Sequence, residues 1–294
     1  MLIMKIRKAV FPIAGLGSRF LPATKAAPKE MLPLVDKPLI QYAVEEAYAA
    51  GIRQMIFVTG RSKRSVEDHF DVAFELETEL EVSMKYRLLS IVRAVKPDDM
   101  QCVYIRQTRA LGLGHAVLCA EHLIDNEPFA VLLADDLIIA KKPLLSQMIE
   151  KYIQRHASII AVENVVESHV QQYGIVAGKS VEKNLMDVQD IVEKPNAKVA
   201  PSTIGVVGRY ILTPNIFKHI ANQSSGVAGE VQLTDAIVSL LKQEKVYAYQ
   251  FEGRRYDCGT KLGYMKAAVD LAEKHHEIGS EFSDWLKIRE EVML

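Results

Sequence analysis

Short continuous apolar runs alternate along this chain with longer stretches in which apolar residues return every third or fourth position. The first pattern suits strands buried on both faces, and the second suits amphipathic helices packed over them. Strands are predicted at Ala9 to Ala14, Met55 to Thr59, Cys102 to Gln107, Phe129 to Ala134 and Ser158 to Val162. Between the first two, Pro38 fits the first turn of a helix whose Ile40, Ala43, Val44, Ala47 and Tyr48 keep the helical period, and Gly51 is its natural stop. Helices are also expected near His115 to His122 and Leu144 to Arg155. Further strands follow around Tyr173 to Val176, Val188 to Val192, Thr203 to Leu212 and Val246 to Phe251, with helices near Gln232 to Lys242 and Lys261 to Glu273. Such alternation predicts the α/β class, with a mainly parallel sheet covered by helices.

Residues 63–99 break the rhythm with the charged, helical segments FELETELEV and YRLLSIVRAV. They read as an insertion with its own amphipathic helices, placed to cover a site or to meet another subunit. The tail from Ile278, with Phe282, Trp285, Leu286, Ile288 and Val292, reads as one more amphipathic helix, docked on the core or on a second subunit. One domain over residues 1–275 and a helical tail over 276–294 result.

With 294 residues, 49% of them hydrophobic, the chain can close a core without disulfides or a structural metal. Its 36 Lys and Arg balance 37 Asp and Glu, which removes the global basic field of a nucleic-acid binder, so any basic site must be local. Cys102, Cys119 and Cys258 are odd in number and form no C-x-x-C pair, which fits a reducing compartment and small buried hydrophobes. Lys5, Arg7 and Lys8 ahead of AVFPIAGLG imitate a signal peptide, but Pro12, two glycines and Arg19 interrupt the apolar stretch. No apolar run approaches the ~18 residues of a membrane span. A cytoplasmic protein with neither membrane nor nucleic-acid partner is expected.

The segment AGLGSRFLPATKAAPKEMLPLVDKPLI leaves the first strand through a glycine loop. Gly15 and Gly17 let the backbone approach a ligand, and N–H groups in such a turn can cradle phosphate oxygens. From Gly15 to Lys37, the four cations Arg19, Lys25, Lys29 and Lys37 outnumber the two acids Glu30 and Asp36, which suits a polyanion. An ordinary tight turn with solvated lysines is the competing reading. The dinucleotide fingerprint fails, because Phe20 holds its third glycine position and the second strand ends in Val58-Thr59-Gly60 without an acid for a ribose. No Gly-Lys-Ser or Gly-Lys-Thr completes a Walker A loop. Hydride transfer and P-loop hydrolysis are therefore unsupported.

In open α/β sheets ligands bind beyond the carboxyl ends of the strands. There the third strand ends in Gln107 followed by TRALGLGHA, and the fourth in Asp135-Asp136. A Gln amide offers a donor and an acceptor to one edge of a base, or else bonds a loop backbone; Gly112 and Gly114 permit backbone contacts. Asp135 and Asp257 are candidate Mg²⁺ ligands, since Mg²⁺ takes few carboxylates, waters and substrate oxygens. Helix N-capping competes for all three acids and is the preferred reading for Asp136. Glu193-Lys194-Pro195 adds an acid and a cation, or a solvated turn.

Together, AGLGSRFLPATKAAPKEMLPLVDKPLIQY, RQTRALGLGHAV, LLADD, YGIV, VEKP, GEVQLTDAI and RYDCGTKLGYMKA resemble the sugar nucleotidyltransferases, from about Ile6 to Val269. ATKAAPKEMLP, LGLGHAV and CGTKLGY point to the prokaryotic uridylyltransferase branch. The resemblance implies a Rossmann-like α/β nucleotidyltransferase fold with a mixed, mainly parallel sheet flanked by helices. It implies transfer of the uridylyl group of UTP to glucose 1-phosphate with Mg²⁺, giving UDP-glucose and pyrophosphate, and a homodimer or homotetramer. Ala14, Gly15, Leu16 and Gly17 would line the nucleotide, Arg19 and Lys29 would hold the triphosphate, and Gln107 with Gly112 would read uracil. Glu30 would also reach the nucleotide, and Asp135 and Asp257 would hold Mg²⁺. Gly174, Glu193, Lys194 and Gly205 would bind the glucose phosphate. Ser18 stands where threonine is usual and keeps the hydroxyl.

The implied mechanism is in-line attack by a sugar-phosphate oxygen on the α-phosphorus, which needs positioning and charge neutralisation more than acid–base groups. Two alternatives stand beside it: a thymidylyltransferase of the same fold, and a catalytically weak paralogue that binds nucleotide sugar and regulates a partner.

Overall fold

The apolar run Lys8–Pro12 forms strand β1, with Ala9, Val10 and Phe11 fully buried. The computed structural model describes residues 5–223 and 229–292. Ala9 and Phe11 enter one apolar cluster and Val10 the other, so the two-residue period of the strand feeds a core on each face of the sheet. A small pairing of Pro33–Leu34 (β2) with Lys37–Pro38 (β3) leads into Leu39–Ala49 (α1), which buries Leu39, Ile40, Ala43, Val44 and Ala47. Pro38 caps this helix from an extended conformation, and Gly51, at φ +91°, turns the chain out of it.

Gln54–Thr59 (β4) pairs with β1 in parallel. The segment read as an insertion is indeed helical: Arg64–His69 (α2), Phe74–Val82 (α3) and Tyr86–Ala94 (α4). Gln101–Arg106 (β5) then joins β4, and Phe129–Leu132 (β6) joins the other side of β1, both in parallel. Between β5 and β6 the expected single helix is two short ones, Leu113–Leu118 (α5) and Glu121–Ile124 (α6). Asp136–Ile139 (β7) precedes Leu144–Arg155 (α7), Ser158–Asn164 (β8), Gly174–Glu182 (β9), Leu185–Glu193 (β10) and Ile204–Leu212 (β11). Ile216–Ala221 (α8), Leu233–Leu240 (α9), Val246–Gln250 (β12), Arg254–Asp257 (β13), Lys261–Ala272 (α10) and Gly279–Val292 (α11) complete the order.

The nine-stranded sheet runs β5-β4-β1-β6-β11-β8-β12-β10-β9. Parallel pairing holds from β5 to β6 and recurs at β8–β12; the other neighbours are antiparallel. A mixed sheet is thus present, but its parallel character belongs to the first half. The reason is local: β9 and β10 are joined across Lys183 and Asn184 only, and so short a link can join antiparallel strands alone. The polar residues between the two predicted strands, including Lys179, Ser180 and Asp187, are the solvent side of this hairpin. β7 and β13 form a separate ribbon.

Apolar surface remains uncovered on the helical excursion, at Val72, Phe74, Val82, Met84 and Tyr86. In α11, Trp285 and Ile288 are exposed while Phe282 and Leu286 are half-buried, so the tail helix does not enter the core. The Val292 side chain lies outside the described residues.

Candidate active site

The loops that follow β1, β5, β6 and β13 converge on one cavity of about 620 Å³ at the carboxyl edge of the parallel half. Of the residues singled out in the sequence, Ala14, Gly15, Leu16, Gly17, Arg19, Lys29, Gln107, Gly112, Asp135, Gly174, Glu193, Lys194 and Asp257 line it. Gly17 adopts φ +68°, a left-handed turn that lets the loop double back so that the Thr24 hydroxyl donates to its carbonyl.

Lys29 begins a short 3₁₀ turn and places Nζ 2.5 Å from Asp135 Oδ2. Burial alone would lower the Lys29 pKa, but Asp135 and then Glu30 overcome it and hold the ammonium above its ordinary value. Burial would likewise raise Asp135, and Lys29 overcomes it, keeping the carboxyl below the usual range. The pair is therefore ionised throughout the neutral range.

Asp135 sits in the link between β6 and β7, and Arg209 of β11 holds that link. Arg209 is 1% exposed; its NH1 donates to the carbonyls of Leu133 and Gly208, and its NH2 to that of Asp136. Nε and NH2 also bond Glu46 Oε2 on α1 at 3.0 and 2.9 Å. The other oxygen of Glu46 accepts from the Leu145 amide at the start of α7. One guanidinium thus joins a helix, a strand and the loop that carries Asp135.

Asp136 is not a helix cap. It opens β7, accepts from the Gly208 amide at 2.7 Å and pairs with Arg255 at 2.5 Å. Arg255 also bonds Glu163 and the Tyr173 hydroxyl, and these acids raise its pKa against its burial. Asp257 does not cap α10 either, because Thr260 does, accepting from the Gly263 amide. Burial and then the neighbouring Asp136 push the Asp257 carboxyl upward. Gly259 stands between the remaining groups: a Cβ there would lie 2.9 Å from Asp135 Oδ2, 3.0 Å from Asp257 Oδ1 and 3.4 Å from Arg19 NH1.

At the opposite end, the buried Gln107 amide donates to Gly112 O and meets His115 Nδ1. Gly112, at φ +98°, and Gly114 are pressed against Val231, where a Cβ on either would come within 2.8 Å of the Val231 carbonyl. Two backbone bonds, Val231 N to Leu111 O and Gly114 N to Val231 O, zip this loop to the GEVQLTDAI segment. On the third side, Lys194 holds a left-handed φ of +46° through its amide bond to Tyr173 O. Non-glycine residues resist this conformation, and such strain clusters at functional sites. Glu193 is braced by the Thr234 hydroxyl at 2.9 Å and lies 3.3 Å from Lys194 Nζ.

Two expected residues stand elsewhere. Glu30 is 2% exposed and pairs with the equally buried Lys63 at 2.7 Å, so its carboxylate is spent tying the opening motif to the start of the insertion instead of facing the cavity. Gly205 is also off the lining; its missing side chain makes room for Val165 and Tyr173. Sequence reasoning missed Arg255, Lys63, Glu46, Arg209 and Thr234. Only Thr234 and Arg255 carried a signal, since they lie in the GEVQLTDAI and RYDCGTKLGYMKA motifs.

A family model described as nucleotidyl transferase matches residues 8–274. The chain is 48% identical over 292 residues to a Bacillus subtilis (strain 168) protein named UTP–glucose-1-phosphate uridylyltransferase, with 98% of this chain and 99% of that one covered. Among solved structures, the UTP-bound UGPase from Acinetobacter baumannii matches at TM-score 0.90 and 44% identity, over 96% of this chain and 99% of that one. A Bacillus anthracis structure whose description names a glucose-1-phosphate thymidylyltransferase matches at TM-score 0.68 and 21% identity, over 89% and 94% of the two chains, which reports a shared fold and no more.

Proposed function

This chain belongs to the nucleotidyl transferase family, and from that premise we propose that it is a UDP-glucose-forming enzyme. It transfers the uridylyl group of UTP to glucose 1-phosphate and releases pyrophosphate. The observation that carries the reading is the single cavity in which Arg19, Lys29, Asp135 and Asp257 face Gln107 across the glycine loop, with Lys194 on the third side.

The nucleophile, a phosphate oxygen, is already ionised near pH 7, so the residues have to position and neutralise more than transfer protons. Gly15, Leu16 and Gly17 bring the backbone to the nucleotide. Arg19 and Lys29 hold the triphosphate and stabilise the departing pyrophosphate, and Lys194 orients the attacking glucose phosphate. The lasting charge of Lys29 suits that role, since a lysine that lost its proton on substrate binding would stabilise nothing.

Asp135 and Asp257 would hold Mg²⁺. Their carboxylates flank Gly259 on the cavity wall, each close to where a Cβ on that residue would stand, and two carboxylates with substrate and water oxygens make a donor set that Mg²⁺ favours. Among the described residues no group of three or more acids, His or Cys forms a complete metal cage, so the substrate would supply ligands. Bound there, Mg²⁺ would neutralise charge developing on the phosphates. Gly259→Ala tests this arrangement. The methyl group displaces two side-chain ends and no backbone, so the melting temperature should change little, while the Mg²⁺ concentration for half-maximal rate rises at least ~10-fold, the scale of a disturbed ligand setting. An unchanged Mg²⁺ titration would remove Gly259 from the site.

The activity itself is tested by pyrophosphate release with Mg²⁺ and glucose 1-phosphate, comparing UTP, dTTP, ATP, GTP and CTP. Sugar-dependent release fastest with UTP is expected; release fastest with dTTP would move the chain to another branch of the fold. We also infer a homo-oligomer in the cytoplasm. The uncovered apolar side chains of α3, α4 and α11 support the first, and the three unpaired cysteines support the second.

A further inference from the structure

We propose that His115 sets the base preference of the site, by locking the Gln107 amide so that only its oxygen faces the nucleotide. The inference rests on the uridylyl-transfer reading. Gln107 is 7% exposed and its Nε2 lies 3.1 Å from Gly112 O and 2.9 Å from His115 Nδ1. A primary amide has two N–H groups, and both are spent on these partners. The orientation is not arbitrary. A backbone carbonyl only accepts, so turning the amide over would set two oxygens about 3.1 Å apart. With Nε2 fixed toward Gly112, the second N–H points at His115, and Nδ1 must be the unprotonated ring nitrogen. Oε1 takes no hydrogen bond among the described residues and is left as a lone acceptor at the cavity wall.

A lone acceptor distinguishes bases by what they carry at N3. Uracil presents an N–H there, whereas cytosine presents a bare nitrogen whose lone pair would oppose that of Oε1. Thymine shares the uracil edge and is not separated by this device. An amide free to turn could offer N–H to cytosine as readily as oxygen to uracil, so the discrimination belongs to the lock and not to glutamine as such. Gly112 O disfavours the reversed orientation by itself and His115 adds the second bond; once His115 is removed one N–H is left unpaired and buried, which narrows the gap between the two orientations. The geometry that places His115 comes from the loop: the left-handed Gly112 starts α5, and three residues later His115 returns over Gln107. His115 is a positioning residue, since it acts through Gln107.

The experiment measures kcat/KM for UTP and CTP with wild-type protein, His115→Leu and His115→Asn, each checked for folding by thermal melting. In asparagine, Oδ1 stands close to where Nδ1 stood and can accept the same N–H. His115→Leu should raise the CTP:UTP ratio of kcat/KM at least ~10-fold, mostly through a higher KM for UTP, the scale of one hydrogen bond misdirected; His115→Asn should keep the ratio within about threefold of wild type. Wild-type protein should also reject UTP methylated at N3. A folded His115→Leu with an unchanged ratio overturns the proposal. So does a folded His115→Asn that loses discrimination, or wild-type protein that accepts the methylated nucleotide as readily as UTP; these two decide the matter if His115→Leu does not fold. Absence of UTP-dependent pyrophosphate release from wild-type protein would instead be the failure of the uridylyl-transfer reading.

Discussion

Lys29→Ala should lower kcat by about 100-fold or more, the scale of losing one preorganised electrostatic group in an enclosed site, with a smaller change in KM. Lys29 does two things at once. On the proposed reading it is the cation for the triphosphate, and its 2.5 Å contact fixes the carboxylate of Asp135. Without it the largest influence that holds the Asp135 pKa low is gone, while burial, which raises it, remains. The sign of the pH effect follows. In wild-type protein the depressed Asp135 pKa contributes stability above the ordinary aspartate range, and that contribution is lost only as the pH falls through the folded value. In Lys29→Ala the acid limb of the rate profile should therefore move to higher pH. Steady-state rates across pH would check both points, and turnover within about threefold of wild type in the folded variant would contradict the role. Asp135→Ala should lose a similar factor, by removing a carboxylate proposed above to hold Mg²⁺.

Arg209→Met should be the most destabilising single change at the site. Glu46 would be left nearly buried without its counter-charge, and the carbonyls of Leu133, Gly208 and Asp136 would each lose one donor. Breaking one partner of such a pair costs about 3–5 kcal/mol, and in a chain of this size that is on the order of 10 °C in melting temperature. The paired replacement Arg209→Met with Glu46→Leu should recover part of the loss, because the isolated charge is gone; the hydrogen bonds that Arg209 gave the three carbonyls stay lost. Thermal melting of the two variants separates these terms. A single variant melting within about 2 °C of wild type would show that the guanidinium is not what holds the Asp135 link.

Much of the site was legible because its chemistry lies in short segments that leave strands. The glycine loop, Gln107 and Asp135 each follow a recognisable apolar run, and the sheet brings the ends of those runs together. What was not legible is set by contacts distant in sequence. Nothing near Arg209 hints at Glu46, and nothing near Glu30 hints that Lys63 removes it from the cavity. Asp136 showed the same limit from the other direction, since capping was the better local reading and Arg255 overruled it. The β9–β10 hairpin hid for a simpler reason. Half of each strand faces water, and alternating polar residues shortened the apolar runs that mark a strand.

The order of strands also has a consequence for how the chain must be made. β11 lies between β6 and β8 yet is synthesised after both. Until residue 212 has emerged from the ribosome, Phe129–Leu132 and Ser158–Asn164 each lack the neighbour that will cover a long edge. Both runs are strongly apolar, and an apolar edge with free N–H and C=O groups is a template for wrong pairing. The late arrival of one strand thus leaves the half-grown chain with two apolar edges open to wrong pairing, and the same strand, once seated, delivers Arg209 to the loop that carries Asp135.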